Sequence, residues 1–238
     1  MKKTFKTLAA AGLLLLTAAT SQAQINLKSI SVGAGYWQPS LDYWNNNSIL
    51  REYNNGAGEQ FGGAVTPTVA LEVGLFKGLS IGGRVSSWRK SVSSPVSIAG
   101  INRTEELTLS ILPVAVDLKY TLGKTGGDKQ PFLTPYVGVS AARYFITNQF
   151  SRTVVGNPGS VDETQAGNTY GFQLFAGAEK QLVKKLYLGL DVRYHLGNYK
   201  QSVATVTGSG ATAVTTTRSE TVSLNGVEAG LSLRFKFN

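Results

Sequence analysis

Residues 227–237 alternate without a break: Val227, Ala229, Leu231, Leu233, Phe235 and Phe237 are apolar, with Glu228, Gly230, Ser232, Arg234 and Lys236 between them. A period of two, with apolar side chains on one face and charges on the other, is the pattern of a β-strand separating two media. Seven earlier segments follow the same rule. In the first, 30–37, Ile30, Val32, Ala34 and Tyr36 oppose Ser31, Gly33 and Gly35. The second, 65–75, sets Val69, Leu71, Val73 and Leu75 against Thr68, Ala70, Glu72 and Gly74. In the third, Leu79, Ile81, Gly83 and Val85 oppose Ser80, Gly82, Arg84 and Ser86.

The fourth segment, 106–120, is less regular. Leu112, Val114, Val116, Leu118 and Tyr120 oppose Asp117 and Lys119, but Leu107, Leu109 and Ile111 occupy the other parity. A bulge near Pro113 is expected to switch the facing, because it would also accommodate a residue that cannot donate to the ladder. The fifth, 132–145, places Val137, Val139 and Ala141 opposite Tyr136, Gly138 and Ser140, with Arg143 on the apolar parity. In the sixth, 169–180, Phe172, Leu174, Ala176 and Ala178 oppose Gln173, Gly177 and Glu179. The seventh, 186–196, turns Leu186, Leu188, Leu190, Val192, Tyr194 and Leu196 one way and Tyr187, Gly189, Asp191, Arg193 and His195 the other.

The connections are sorted by length. Those after segments two, four and six are short: Phe76-Lys77-Gly78, then 121–131, then 181–185. Those after one, three, five and seven are long and polar: 38–63, 88–105, 146–168 and 197–221. Alternation of short and long links is the rule for periplasmic turns and extracellular loops. The fold expected is all-β: an eight-stranded antiparallel up-and-down transmembrane β-barrel, apolar outside and polar inside, with both termini periplasmic.

The N-terminus adds an address. Lys2, Lys3 and Lys6 precede an apolar core from Leu8 to Leu16, followed by Ser21-Gln22-Ala23. This is a secretory signal, too short in its apolar part to span a bilayer. Cleavage is expected after Ala23, leaving 24–238 as the barrel domain, and removal of three lysines lowers the formal charge of +9 by three. The remaining cations are scattered, which speaks against nucleic acid and fits the phosphates of lipopolysaccharide. With no cysteine in the chain, disulfides, thiol catalysis and a lipoprotein anchor are excluded.

Several short motifs occur together: Gly33-Ala34-Gly35-Tyr36-Trp37, Leu112-Pro113-Val114 through Leu118-Lys119-Tyr120, and Pro135-Tyr136-Val137-Gly138. Gly177-Ala178-Glu179 and Leu188 through Asp191-Val192-Arg193-Tyr194 complete the set. On these the chain resembles the small eight-stranded outer-membrane barrels, the OmpA-, OmpX- and OmpW-like proteins and the opacity-type adhesins. The resemblance implies a monomer in the cell outer membrane, in contact with lipid and lipopolysaccharide. It also implies insertion by the barrel-assembly machinery, which reads an aromatic end on the last strand. Here Phe235 and Phe237 would serve, with Asn238 after them.

The inward parity collects Glu72, Asp117, Glu179, Asp191 and Glu228 with Arg84, Lys119, Arg193, Arg234 and Lys236. An eight-stranded lumen is only wide enough for side chains to fill. Charges there are costly unless paired, so an ionic network that plugs the lumen is expected, and an ion-selective constriction would show an excess of one sign. In the first long loop, Trp37, Tyr43, Trp44, Tyr53 and Phe61 read either as a membrane girdle or as a sticky rim, adhesive or opening onto a groove. The fourth loop, from Ser202 to Thr221 with Gly208-Ser209-Gly210, reads as a flexible hairpin extension.

Catalytic signals are thin. His195 is the only histidine and lies near the outer rim, but residue 197 is Gly197 where the lipid A deacylases place a serine. Gly123-Lys124-Thr125 lacks the upstream glycine of a phosphate loop, that position being Leu118, and reads as a turn. No cluster has metal-ligand spacing, and no cofactor is expected. The expected role is non-enzymatic: envelope structure and contact with a surface or host ligand through four outer loops. The alternative is a narrow conduit for small or apolar solutes, and the third reading is an outer-leaflet lipid-modifying enzyme using His195.

Overall fold

The computed structural model describes residues 27–47, 59–98, 101–122, 132–154, 161–207 and 214–237. The signal segment, Tyr53, Gly123-Lys124-Thr125, Gly208-Ser209-Gly210 and Asn238 lie outside them. The elements are β1 (Leu27–Pro39), α1 (Asp42–Asn47), β2 (Ala64–Phe76), β3 (Leu79–Ser86), β4 (Trp88–Ile98) and β5 (Ile101–Thr121). They continue with β6 (Thr134–Val154), β7 (Val161–Val183), β8 (Leu186–Thr207), β9 (Val214–Ser223) and β10 (Gly226–Lys236).

Antiparallel pairing runs β10-β1-β2-β3-β5-β6-β7-β8, and β8 pairs back to β10, closing an eight-stranded ring. Closure requires stagger. The pairing path from Ser29 runs through Glu72, Gly82, Asp117, Ser140, Gln173, His195 and Gly226. It returns to β1 at Pro39, well above its start, so the strands tilt steeply against the barrel axis. One end carries tight turns. Lys77 and Gly78 both take positive φ, 41° and 85°, the two-residue turn that matches the twist of a hairpin.

The outer wall is apolar, as the alternation requires. Ile30, Val69, Leu71, Val116, Val139, Leu174, Leu190 and Leu231 are all exposed. A soluble protein would leave no such continuous belt uncovered. This is the wall of a transmembrane barrel.

Three expectations are corrected. There is no bulge at Pro113. Pairing of β5 with β3 (Val85↔Val114), with β4 (Trp88↔Ile111) and with β6 keeps one register past it. The missing N–H falls where β3 gives way to β4, and there Ser87 N donates to Pro67 O on β2 at 3.1 Å. Leu107, Leu109 and Ile111 therefore point inward on the same parity as Asp117 and Lys119, and it is the chemistry of the interior that changes.

Among their described residues, the second, third and fourth long connections are mainly strand. β5 to β8 run 21, 21, 23 and 22 residues, about twice the length of a membrane-spanning strand. Their upper halves stand beyond the lipid belt in two pieces, β4 to β7 as one sheet and β8 with β9 as a hairpin beside it. The described aromatics of the first loop are not a rim either, because Trp37, Trp44 and Phe61 are buried and Tyr43 packs against them. Tyr36, Tyr170, Phe172 and Tyr194 supply the outward rings instead.

Candidate functional site

The interior has two layers. In the lower layer, nearest the tight turns, Glu72 contacts Lys119, pairs with Lys28 at 2.7 Å and accepts from Ser80 Oγ at 2.7 Å. Lys28 belongs to the outward parity, but a register shift between Leu27 and Ser29 turns it in. Glu179 contacts Lys236 and lies 3.6 Å from Arg234. The Arg234 guanidinium also reaches Asp191 at 3.1 Å and the Tyr136 hydroxyl at 2.7 Å, and Tyr136 donates to Asp191 at 2.6 Å. Arg234 and Lys119 both lie over the Tyr136 ring, at 4.7 and 4.9 Å.

Higher up, Asp117 lies between Arg84 at 3.3 Å and Arg193 at 3.6 Å. Gln173 Oε1 accepts from both arginines, and its Nε2 donates to the Tyr144 hydroxyl at 2.9 Å. This one buried amide links the charges to the layer above. Nine of the ten charged residues expected inside contact an opposite charge, and the tenth, Glu228, meets His195 at 2.8 Å instead. Sequence reading missed Gln173, Tyr136 and Lys28. The first two were on the inward parity, but an uncharged side chain gives no signal of what it bridges.

Small residues make room for the long ones. Gly33, Gly35, Gly82 and Gly230 line a cavity of about 80 Å³ opposite Arg84, Lys119, Arg193 and Arg234. A Cβ at position 35 would lie 2.7 Å from Glu228 Oε1. The cavity has polar walls and room for roughly two waters.

The upper layer is an apolar core. His195, with no exposed surface, stacks on Trp37 at 4.1 Å, and its two nitrogens meet the Tyr144 hydroxyl (3.1 Å) and Glu228. Above it Trp37, Trp88, Leu107, Leu109, Ile111, Ile146, Tyr199 and Leu224 pack together. Trp88 Nε1 donates to Trp37 O at 3.2 Å. β1 and β2 stop well short of their neighbours, and Leu41, Trp44 and Phe61 fill that side. Asn45 ties this wedge together by bonding both backbone groups of Phe61, at 2.8 and 3.1 Å. At the top, buried Glu105 is held by Arg103 and Arg152, each at 2.9 Å.

Phe235 and Phe237 lie exposed at the turn end, edge to face at 5.3 Å. Among the described residues no group of histidine, cysteine or carboxylates could hold a metal ion.

No family model matches the sequence, and neither does any curated protein. Solved structures do match. The outer membrane protein OprG of Pseudomonas aeruginosa is 12% identical, with 90% of this chain and 97% of that one covered and a TM-score of 0.52. A major outer membrane protein from Thermus thermophilus is 12% identical over 88% and 98%, with a TM-score of 0.48. Neisserial surface protein A is 13% identical over 88% and 96%, with a TM-score of 0.43. The chain has the fold of the small outer-membrane β-barrels.

Proposed function

We propose that the protein is a non-enzymatic barrel of the cell outer membrane whose lumen is closed. The mature chain, after cleavage at Ala23, would enter through the barrel-assembly machinery using its Phe235–Phe237 end. Its extended strands would stand on the extracellular side as a surface for ligands. The single observation that carries this reading is the double filling of the interior, with charges paired in the lower half and an apolar core across the upper half. Filling of the upper half supports closure independently of the ionic layer, because an ion would have to displace packed aromatic rings. His195 is enclosed on all sides, which supports a packing role for it.

Planar-bilayer recording of the refolded chain tests the proposal. A folded, heat-modifiable barrel that stays silent is expected, and reproducible openings would overturn the closed lumen. One observation favours the second reading, a conduit for small apolar solutes. A shallow open groove of about 420 Å³ lies at the β1–β10 seam beside the wedge, with Leu41, Pro39 and Val227 among the polar Gln38, Ser40, Asp42, Asn45 and Asn225. Uptake of an apolar dye into vesicles by a conductance-silent barrel would transfer the proposal to that reading.

A further inference from the structure

A charge stands in the upper part of the outer wall. Outward along β6 come Val137, Val139, Ala141, Arg143 and Phe145, and Arg143 is exposed with them. Among the described residues it has no acidic partner. Instead, the guanidinium lies 5.3 Å from the ring of Phe145 and 5.3 Å from that of Tyr170, and donates to Asn168 Oδ1 at 2.9 Å. The register explains the grouping. Arg143 pairs with Tyr170 and Phe145 with Asn168, so four outward side chains form a square across β6 and β7.

The square marks a boundary. Below it Phe172 and Leu174 continue the apolar wall, 68% and 52% exposed. Above it the outward positions of the two strands are Thr147, Gln149, Ala166 and Thr164. A charged side chain on the outer wall is tolerated only near the interface of the bilayer, and aromatic rings collect at the same depth. Two further exposed cations stand on the outward parity of nearby strands, Arg89 on β4, level with Thr147 across β5, and Lys200 on β8. The next acid on the outward face of β5 is Glu106, six residues above Leu112.

A guanidinium presents five donors in a rigid fork that matches phosphate oxygens, and here two rings and an amide orient it while using few of those donors. We propose that the Arg143–Phe145–Asn168–Tyr170 square binds the phosphate of an outer-leaflet phosphorylated glycolipid. The acyl chains run down the wall over Phe172 and Leu174. This rests on the outer-membrane reading above and gives it a specific lipid contact.

The test uses the mature chain refolded in phosphatidylcholine nanodiscs doped with either bis-phosphorylated lipid A or its dephosphorylated counterpart, with retained lipid counted by native mass spectrometry. The wild type should keep the phosphorylated form selectively. Arg143→Ala should weaken retention about tenfold or more, as loss of a charge-assisted contact implies. Arg143→Lys should fall between, because it keeps the charge without the fork. Tyr170→Leu leaves the charge and frees the side chain, and should weaken retention several-fold. Equal retention by wild type and Arg143→Ala overturns the site, as does full displacement of the lipid by millimolar inorganic phosphate. In those cases a heat-modifiable barrel still leaves the fold and location standing, whereas a wild type that never becomes heat-modifiable would sink the outer-membrane reading itself.

Discussion

Arg193 and His195 face the same lumen two residues apart, yet they belong to different chemistries. Arg193 bonds Ser140 and Gln173 and faces Asp117, so reversing its charge puts two acids together in a closed space. Arg193→Glu should cost about 3–5 kcal/mol in denaturant titrations of the folded barrel, the usual penalty for breaking a buried pair. Adding Asp117→Arg should recover part of the loss, and no loss in the single variant would dismiss the ionic layer as a source of stability. His195→Ala removes the partner of buried Glu228 and the stacking surface of Trp37. A loss of about 1–3 kcal/mol is expected from the unsatisfied carboxylate, with the lipid A composition of expressing cells unchanged. Altered lipid A would restore the enzymatic reading. Parity made the charges legible one by one. Who meets whom was not, because partners are set by the stagger between strands. Lys28 was hidden by a local shift of register and Gln173 by its neutrality.

Among the elements, β5 is the most informative. Alternation from Leu112 to Tyr120 names the lipid face of its lower half, whereas the same rule applied to Leu107, Leu109 and Ile111 gives the upper half the wrong facing. The cause is physical. A period-two pattern reports which face is apolar, but not whether the apolar face looks at lipid or at a core. Above Pro113 the outside is water, so the apolar residues move to the inside. The same ambiguity made strands look like loops in 88–98 and 146–154, where the outward positions are mostly Ser and Thr, with Arg89, Pro95 and Gln149 among them. Trp88→Ala should therefore act on one end of the molecule only. It removes a fully buried ring, at a cost of about 3–5 kcal/mol to the upper sheet. Limited proteolysis should then cut within β4 and β5 above Ile111 while a lipid-protected, heat-modifiable barrel persists. Loss of the whole barrel would show that the two layers fold as one unit.

For the molecule as a whole, the alternation of segments and of link lengths was enough to read the closed barrel. The apolar core at one end was not, because its wedge comes from Leu41, Trp44 and Phe61, far in sequence from most of the strands they pack against. If the lumen is closed by both layers in series, opening one should not suffice. Replacing Arg84 and Arg193 by serine leaves Asp117 without the two cations that flank it, yet the barrel should stay silent in planar bilayers. Adding removal of the wedge rings, Trp44→Ala and Phe61→Ala, should give openings selective for cations, read from the reversal potential in a salt gradient. Conductance from the serine pair alone would place the barrier wholly in the ionic layer.

The inversion at Pro113 also fixes how deep the protein floats. Below that level the strands are apolar outside and polar inside, and above it the order is reversed. Displacement by one strand pair in either direction would bring lipid-facing valines and leucines into water or push polar outward positions into hydrocarbon. An outer surface alone could set that depth. In this chain the inside changes character at the same height, so the barrel carries its own waterline, and a bilayer thinner or thicker than its belt must adapt to the protein rather than the reverse.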